Sequence, residues 1–153
     1  ALELCAAGRE PWEIAEWVEK EKNHFAVYFF ADDLRFFRRS GRVSGLAATM
    51  GTVLGVRPII YVNDEGRMVS IGKERGKANA TERLLHAVEK LGKDLSKHRI
   101  LIGHTDAPET ELCAALTERF GKKLPIECLA VNPTAGSHCG PSTVGICFYA
   151  KHR

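Results

Sequence analysis

Near its beginning the chain contains an unbroken apolar run, Phe25-Ala26-Val27-Tyr28-Phe29-Phe30-Ala31. An apolar run of this length is typical of a strand that a sheet buries on both of its faces. We therefore predict a buried strand over residues 25–31. A helix over residues 11–22 should precede it, because a proline at position 11 suits the first helical turn. A short helix over residues 34–39 should follow it.

Five further segments are rich in β-branched and aromatic residues and predict strands at residues 57–62, 67–71, 99–103, 126–131 and 145–150. The first two flank Asn63-Asp64-Glu65-Gly66, a turn sequence that indicates an antiparallel hairpin. Apolar residues at helical spacing predict a helix over residues 81–95 and another from Asp106 to about Phe120. Helices that alternate with strands, together with a hairpin, predict an α/β fold: a single domain with a mixed β-sheet flanked by helices.

Composition restricts the classes of protein to which the chain can belong. Its 153 residues fit one domain, and a net charge of +3 is too small to predict nucleic-acid binding. No apolar run reaches about 18 residues, so no membrane span is predicted. The five cysteines form no C-x-x-C pair and no secretory signal is evident, which favours reduced thiols and a cytoplasmic location. The histidine and cysteine spacings predict no metal site.

The stretch Gly136-Ser137-His138-Cys139-Gly140-Pro141-Ser142-Thr143-Val144-Gly145 lies between the last two predicted strands. Its glycines and small polar residues predict a loop with uncovered backbone N–H groups beside the His138 imidazole. Such a loop suits an oxyanion, for example a carboxylate or a phosphate. The alternative is a glycine-rich connector whose histidine is simply solvated.

Small and apolar residues dominate residues 43–56. They allow a ligand chain to approach closely, and they make Leu46, Met50, Val53 and Leu54 candidates for the lining of an apolar channel. A tightly packed core helix is the alternative.

Two basic clusters flank this segment. Arg42 follows Gly41 at a predicted helix end, where its guanidinium could bind an acidic headgroup with two hydrogen bonds. The second cluster, residues 73–77, includes Arg75 and has a solvated turn as its ordinary interpretation.

The chain also contains five short motifs in a fixed order: Asp33-Leu34 with Ser40-Gly41-Arg42-Val43, then Leu54-Gly55-Val56-Arg57-Pro58-Ile59, Lys73-Glu74-Arg75, His104 with Asp106-Ala107-Pro108, and Gly136-Ser137-His138-Cys139-Gly140-Pro141. In this order and at this spacing they resemble the motifs of the DegV family of bacterial fatty-acid-binding proteins. The resemblance runs from the first helix to Tyr149. Because that family has two α/β domains, and the chain starts at Ala1, residues 1–153 resemble its C-terminal lipid-binding domain, with the N-terminal domain expected as a missing partner.

The resemblance implies that a long-chain fatty acid is the ligand and that no other cofactor is needed. It implies a protein that does not catalyse a reaction but presents the fatty acid to the catalytic subunit of a fatty acid kinase. By the same resemblance, His138, Ser137, Arg42 and Arg75 serve the carboxylate headgroup or the docking of the kinase. Cys139 and Ser142 depart from the family, which usually has threonine and glycine at these positions.

Two other classes of function stay open at this point. The chain could be an enzyme domain that acts on a small phosphorylated or carboxylated substrate at the His138 loop. That reaction would need a second catalytic group beside His138, and no sequence motif supplies one. A structural or nucleic-acid-binding domain that uses the arginine clusters is the third possibility.

Overall fold

The computed structural model describes residues 1–41, 55–106 and 110–153. The helices within these ranges are α1 (Leu2–Ala6), α2 (Pro11–Glu21), α3 (Arg35–Arg39), α4 (Lys77–Leu91), α5 (Thr110–Phe120) and α6 (Pro133–Cys139), and a 3-10 turn covers Lys22–His24. The strands are β1 (Phe25–Phe30), β2 (Val56–Val62), β3 (Met68–Arg75), β4 (Ile100–His104), β5 (Ile126–Ala130) and β6 (Val144–Tyr149).

The strands form one six-stranded sheet in the order β3-β2-β1-β6-β4-β5. β4 and β5 are parallel, and every other neighbouring pair is antiparallel. The apolar run that begins at Phe25 therefore lies inside the sheet, with β2 on one side and β6 on the other. The predicted α/β domain with a mixed sheet is confirmed, and each predicted strand is present to within a few residues.

Side chains alternate between the two faces of the sheet, and each face has its own core. The larger core contains Ala26, Tyr28 and Phe30 from β1 together with apolar residues of α4 and α5. The residues that these two helices contribute are Leu84, Leu85, Val88 and Leu91 from α4 and Leu112 and Leu116 from α5. Burying each large apolar side chain stabilises the fold by about 1.5–3 kcal/mol. Because this face buries more such side chains than the other, it contributes most of the hydrophobic stabilisation.

A smaller core covers the opposite face of the sheet. It contains Phe29 of β1, Ile60 of β2 and Phe37 of α3, and Cys139 of α6 packs against it. The rings of Phe29 and Phe37 stack with their centroids 5.9 Å apart. α3 has only five residues, so this packing and not its intrinsic helix propensity keeps it in place.

Two elements differ in length or register from the predictions. β3 continues to Arg75, because Lys73, Glu74 and Arg75 pair with the first residues of β2. The turn expected at residues 73–77 is therefore wrong for residues 73–75, which belong to the strand. α4 begins four residues earlier than predicted, at Lys77, because the preceding Gly76 has a φ of +82° and turns the chain directly out of the strand. The helix ends at Leu91: the Gly92 N–H still donates to the Val88 carbonyl oxygen, but the Lys93 N–H donates to the Tyr149 carbonyl oxygen at the end of β6.

The N-terminal helices are less buried than their apolar stripe suggests. Ile14 and Trp17 of α2 are half-buried, Val18 is 36% exposed and Trp12 is 64% exposed. Among the described residues, none of the helices has the length and apolar character to cross a membrane.

Candidate functional site

Two of the residues that the sequence singled out, His138 and Arg75, lie at one end of the sheet. The ends of β1 and β4 meet the beginning of β6 there, because Phe30 and His104 both pair with Val144. The segments that follow β1 and β4, and the one that precedes β6, therefore converge at this sheet end. β2 begins and β3 ends at the same side, where Val56 pairs with Arg75.

A pocket of about 240 Å³ opens at this sheet end. It lies on the face that carries α4 and α5, since its floor includes side chains of the larger core. The residues that line it are Phe30, Arg57, Lys77, His104, Asp106, Ser142, Thr143 and Val144. They come from five segments that are distant in sequence, so the pocket is a product of the strand order.

Asp106 ties the segment before β6 to the end of β4. Its carboxylate accepts hydrogen bonds from the backbone N–H of Ser142 at 2.8 Å, from the Ser142 hydroxyl at 3.1 Å and from the Thr105 hydroxyl at 2.7 Å. The hydrogen bond from Thr105, followed by those from Ser142, lowers the pKa of the Asp106 carboxyl below its usual value. A charged Asp106 thus holds the rim of the pocket together.

Ser142 has the backbone conformation that glycine adopts most easily. Its φ is +56°, in the left-handed region, which costs a residue with a side chain about 1–2 kcal/mol. The glycine that the DegV resemblance expects at this position would be free of that cost. In this chain the three hydrogen bonds from Ser142 to Asp106 compensate for the strained backbone.

Replacing Asp106 with asparagine should lower the free energy of unfolding by about 1–2 kcal/mol at neutral pH, because the side-chain amide cannot accept from all three donors. The pKa of Asp106 in the folded protein lies below the usual aspartate value of 3.8, so the stabilisation by Asp106 is present above that value and is lost as the pH falls through the folded pKa. Urea unfolding from pH 7 to pH 3 measures it. The difference from wild type should be constant near neutrality and should shrink only below about pH 4. Glu118→Gln, on an exposed position of α5, is the control; an equal loss in both variants would contradict this role.

His104 closes the inner wall of the same pocket. Its side chain is only 6% exposed, and its Nδ1 atom has no hydrogen-bond partner within the described part of the chain. It occupies the last position of β4, where the structure buries the imidazole.

Arg57 is a pocket residue that sequence reasoning quoted only as part of a motif. Its guanidinium binds the Asp32 carboxylate, with Nε 2.5 Å from Oδ1 and Nη2 3.0 Å from Oδ2. The Arg57 side chain is 17% exposed, so the pair is partly shielded from water. It joins the beginning of β2 to the segment after β1. Only the antiparallel pairing of these strands brings the two residues together, and a local sequence signal for this contact does not exist.

The predicted loop around His138 is wrong, because residues 133–139 form α6. Asn132 caps the helix by accepting a hydrogen bond from the Ala135 N–H at 2.9 Å, and Pro133 occupies the first turn. The N–H groups of Gly136 and Gly140 bond within the helix to the carbonyl oxygens of Asn132 and Gly136. These two backbone donors are therefore not free to bind an oxyanion.

His138 lies in the last turn of α6 and is half-buried, whereas Ser137 is exposed. The Ser137 hydroxyl donates to the Thr134 carbonyl oxygen at 2.7 Å. Burial raises the pKa of the neighbouring Cys139 thiol, which keeps this sulfur protonated and makes it a poor nucleophile at neutral pH.

The other candidate residues divide into two groups. Arg75 is exposed at the last position of β3, on the sheet face that carries α3 and α6, because it pairs with Val56. His138 and Arg75 thus share one end and one face of the sheet, although they stand on different elements. Arg42, Leu46, Met50, Val53 and Leu54 fall within residues 42–54, outside the described residues, so their placement stays a prediction.

Comparison with known proteins gives one consistent family. The family described as "Uncharacterised protein, DegV family" matches residues 1–151. A DegV domain-containing protein of Clostridium perfringens is 31% identical over 151 residues, which are 97% of this chain and 51% of that protein. The chain spans about half the length of the curated relatives that it matches.

Solved structures show the same fold. The structure of DegV, a fatty acid binding protein from Bacillus subtilis, has a TM-score of 0.71 and 29% identity, and the match covers 97% of this chain and 53% of that one. The Streptococcus pneumoniae Fatty Acid Kinase (Fak) B3 protein, loaded with linoleic acid, has a TM-score of 0.79 and 17% identity, with coverage of 96% and 52%.

Proposed function

Because the chain belongs to the DegV family, we propose that it binds a long-chain fatty acid and does not itself catalyse a reaction. The observation that carries the proposal is the similarity to the Bacillus subtilis fatty acid binding protein, at 29% identity over 97% of this chain. The match extends over both cores and over the sheet end that holds the candidate residues.

The acyl chain supplies most of the binding free energy in this proposal. Each buried methylene contributes about 0.8 kcal/mol, so a chain of some fifteen methylenes outweighs a charge-assisted hydrogen bond of about 1.5–3 kcal/mol. An apolar lining is therefore the first requirement, and Leu46, Met50, Val53 and Leu54 are the residues that we assign to it. The polar groups orient the carboxylate.

We assign the carboxylate end to the sheet end that carries His138 and Arg75. His138 is half-buried in the last turn of α6, so one side of its imidazole is accessible to a ligand or a partner. Ser137 and Arg42 complete the set proposed from the resemblance. In a two-domain protein the missing domain would cover this end and contribute further hydrogen bonds to the carboxylate.

Calorimetric titration with palmitate and oleate, combined with native mass spectrometry of the purified protein, tests the binding. We expect saturable binding and a co-purified mass of fatty-acid size. Residues 1–153 on their own lack hydrogen bonds from the family's other domain, and losing two such bonds should make their affinity about ten- to a hundredfold weaker than that of a two-domain relative. Absence of both saturable binding and a bound mass would refute the fatty-acid proposal. Equal, tight binding by both proteins would refute only the proposal that the other domain contributes hydrogen bonds to the carboxylate.

Presentation to a fatty acid kinase is the finer part of the proposal. In a two-domain protein, His138→Ala should lower the rate of acyl-phosphate formation with the kinase more than it lowers affinity for palmitate, since the acyl chain and not the imidazole dominates binding. Turnover with a kinase and titration of palmitate measure the two quantities separately. Glu118→Ala, at an exposed position of α5 that lines neither pocket, is the control. Unchanged turnover of His138→Ala would contradict the assigned role.

A further inference from the structure

A second and larger pocket lies at the opposite end of the sheet from the candidate site. Its volume is about 540 Å³, within the range of about 300–1,000 Å³ that small-molecule sites occupy. It is bounded by α4, by strands β1, β2 and β3, and by the residues after β6. Fatty-acid binding as proposed above makes no use of it.

The floor of this pocket is aromatic and aliphatic. Tyr28 and Tyr61 stack with their ring centroids 5.7 Å apart, and Leu91 and Ile71 extend the surface on either side. Ile71 is 41% exposed, which leaves an apolar surface open to a ligand. The floor offers a flat ring or a short apolar group a place to pack.

Basic side chains form the walls. Arg83 and Lys90 project from one face of α4, where residues seven apart lie on the same stripe two turns apart. Lys151 and Arg153 approach from the C-terminal segment. His86 and His152 complete the rim. The pocket is therefore enclosed by four permanent positive charges.

These four charges have no acidic counterpart in the pocket. No aspartate or glutamate is among the described residues that line it, and none of the four cations forms a salt bridge within the described part of the chain. A concave surface with one sign of charge concentrates ligands of the opposite charge.

Arg153 is held in a defined position. Its Nε donates to the Phe25 carbonyl oxygen at 3.2 Å and its Nη1 donates to the Asn63 carbonyl oxygen at 3.1 Å. Its remaining guanidinium donors are left for a ligand. Burial and the neighbouring Tyr61 raise the pKa of Tyr28. The positive charge of Arg83 partly offsets this rise, so Arg83 lies close enough to the pocket floor to interact with Tyr28.

From this geometry we infer that the pocket binds a small organic phosphate, with the phosphate groups on Arg83, Lys90, Lys151 and Arg153 and the organic group on Tyr28 and Tyr61. A single carboxylate carries one negative charge and would leave most of the wall unneutralised. A phosphate monoester carries about two and a di- or triphosphate ester more, and each accepts several hydrogen bonds from arginine and lysine. A nucleotide and a phosphorylated lipid fragment both have this chemistry.

The test uses calorimetric titration of this chain with three probes at constant ionic strength: ATP, a short-chain lysophosphatidic acid and inorganic tripolyphosphate. We expect either ATP or the lysophosphatidic acid to bind more tightly than tripolyphosphate, because only these two have an organic group. Preference for ATP identifies a nucleotide site, and preference for the lysophosphatidic acid identifies a lipid-phosphate site. Equal affinity for all three probes, or binding of none, would overturn the inference.

Two double variants locate the bound probe. Arg83→Gln/Lys90→Gln should weaken the preferred probe by about tenfold or more, since two charge-assisted contacts are lost. Lys122→Gln/Lys123→Gln, between α5 and β5, removes the same net charge elsewhere and should change the affinity less than about twofold. All four positions are exposed, so both variants should fold. Equal weakening in the two variants would place the probe elsewhere and overturn the inference. Palmitate affinity should be unchanged in both, which separates this result from the fatty-acid proposal.

Discussion

Replacing Phe37 with alanine should lower the free energy of unfolding by about 3–5 kcal/mol. Phe37 is 1% exposed and supplies the ring that α3 stacks on Phe29. Because α3 has five residues, no other part of the helix can replace this contact. Urea unfolding followed by circular dichroism measures the loss. Trp12→Ala removes an even larger ring at a position that is 64% exposed and should cost much less. Similar losses in the two variants would show that α3 is not anchored through Phe37.

Replacing Gly140 with alanine should lower the free energy of unfolding by about 2–4 kcal/mol, from the strain of a left-handed backbone and from overpacking. Gly140 has a φ of +77°, and a Cβ atom there would lie 2.4 Å from Cδ2 of Phe36. Phe36 belongs to α3, so this close approach joins α6 to α3.

Gly136→Ala is the matched control for Gly140→Ala. Gly136 lies in the same helix with open space around its Cα and ordinary helical φ, so alanine there should stabilise the protein by about 0.5–1 kcal/mol. Phe36→Leu in the Gly140→Ala background should recover part of the loss, because the smaller side chain relieves the overpacking. A neutral Gly140→Ala, or an equal effect at Gly136, would contradict the packing of α6 on α3.

The sheet could be predicted from the sequence because its strands have local signals. The apolar run from Phe25 and the hairpin turn at Asn63-Asp64-Glu65-Gly66 each need only neighbouring residues to be recognised, and both are present as expected. The order β3-β2-β1-β6-β4-β5 has no such local signal, since it depends on packing between distant segments.

Helix α6 was missed for an identifiable reason. Gly136 and the small polar residues around it are weak helix formers, so the segment resembles a loop. The signals for a helix were present at its beginning, in the capping residue Asn132 and in Pro133. Contacts with α3 then stabilise a helix that propensity alone would not form.

The candidate site could be predicted only in part. His138 and Arg75 were named from motifs, and the structure puts them at the same end and face of the sheet. Arg57 and His104 were not named as site residues, because an arginine at a strand start and a histidine at a strand end are common. They become pocket residues only when β1, β2, β4 and β6 are aligned.

The irregularity between Ile59 and Ile60 in the pairing of β2 with β3 has a consequence for aggregation. β3 is an outer strand, and a regular outer strand is a template to which a second chain can add. The bulge interrupts that template. The last three residues of β3 are charged, namely Lys73, Glu74 and Arg75. Ile71, which is 41% exposed, is an apolar side chain on this edge strand where a second chain could still pair. A variant that replaces Arg75 with an apolar residue would weaken this protection, and loss of soluble protein could then be mistaken for loss of function. Arg75→Gln avoids this confusion.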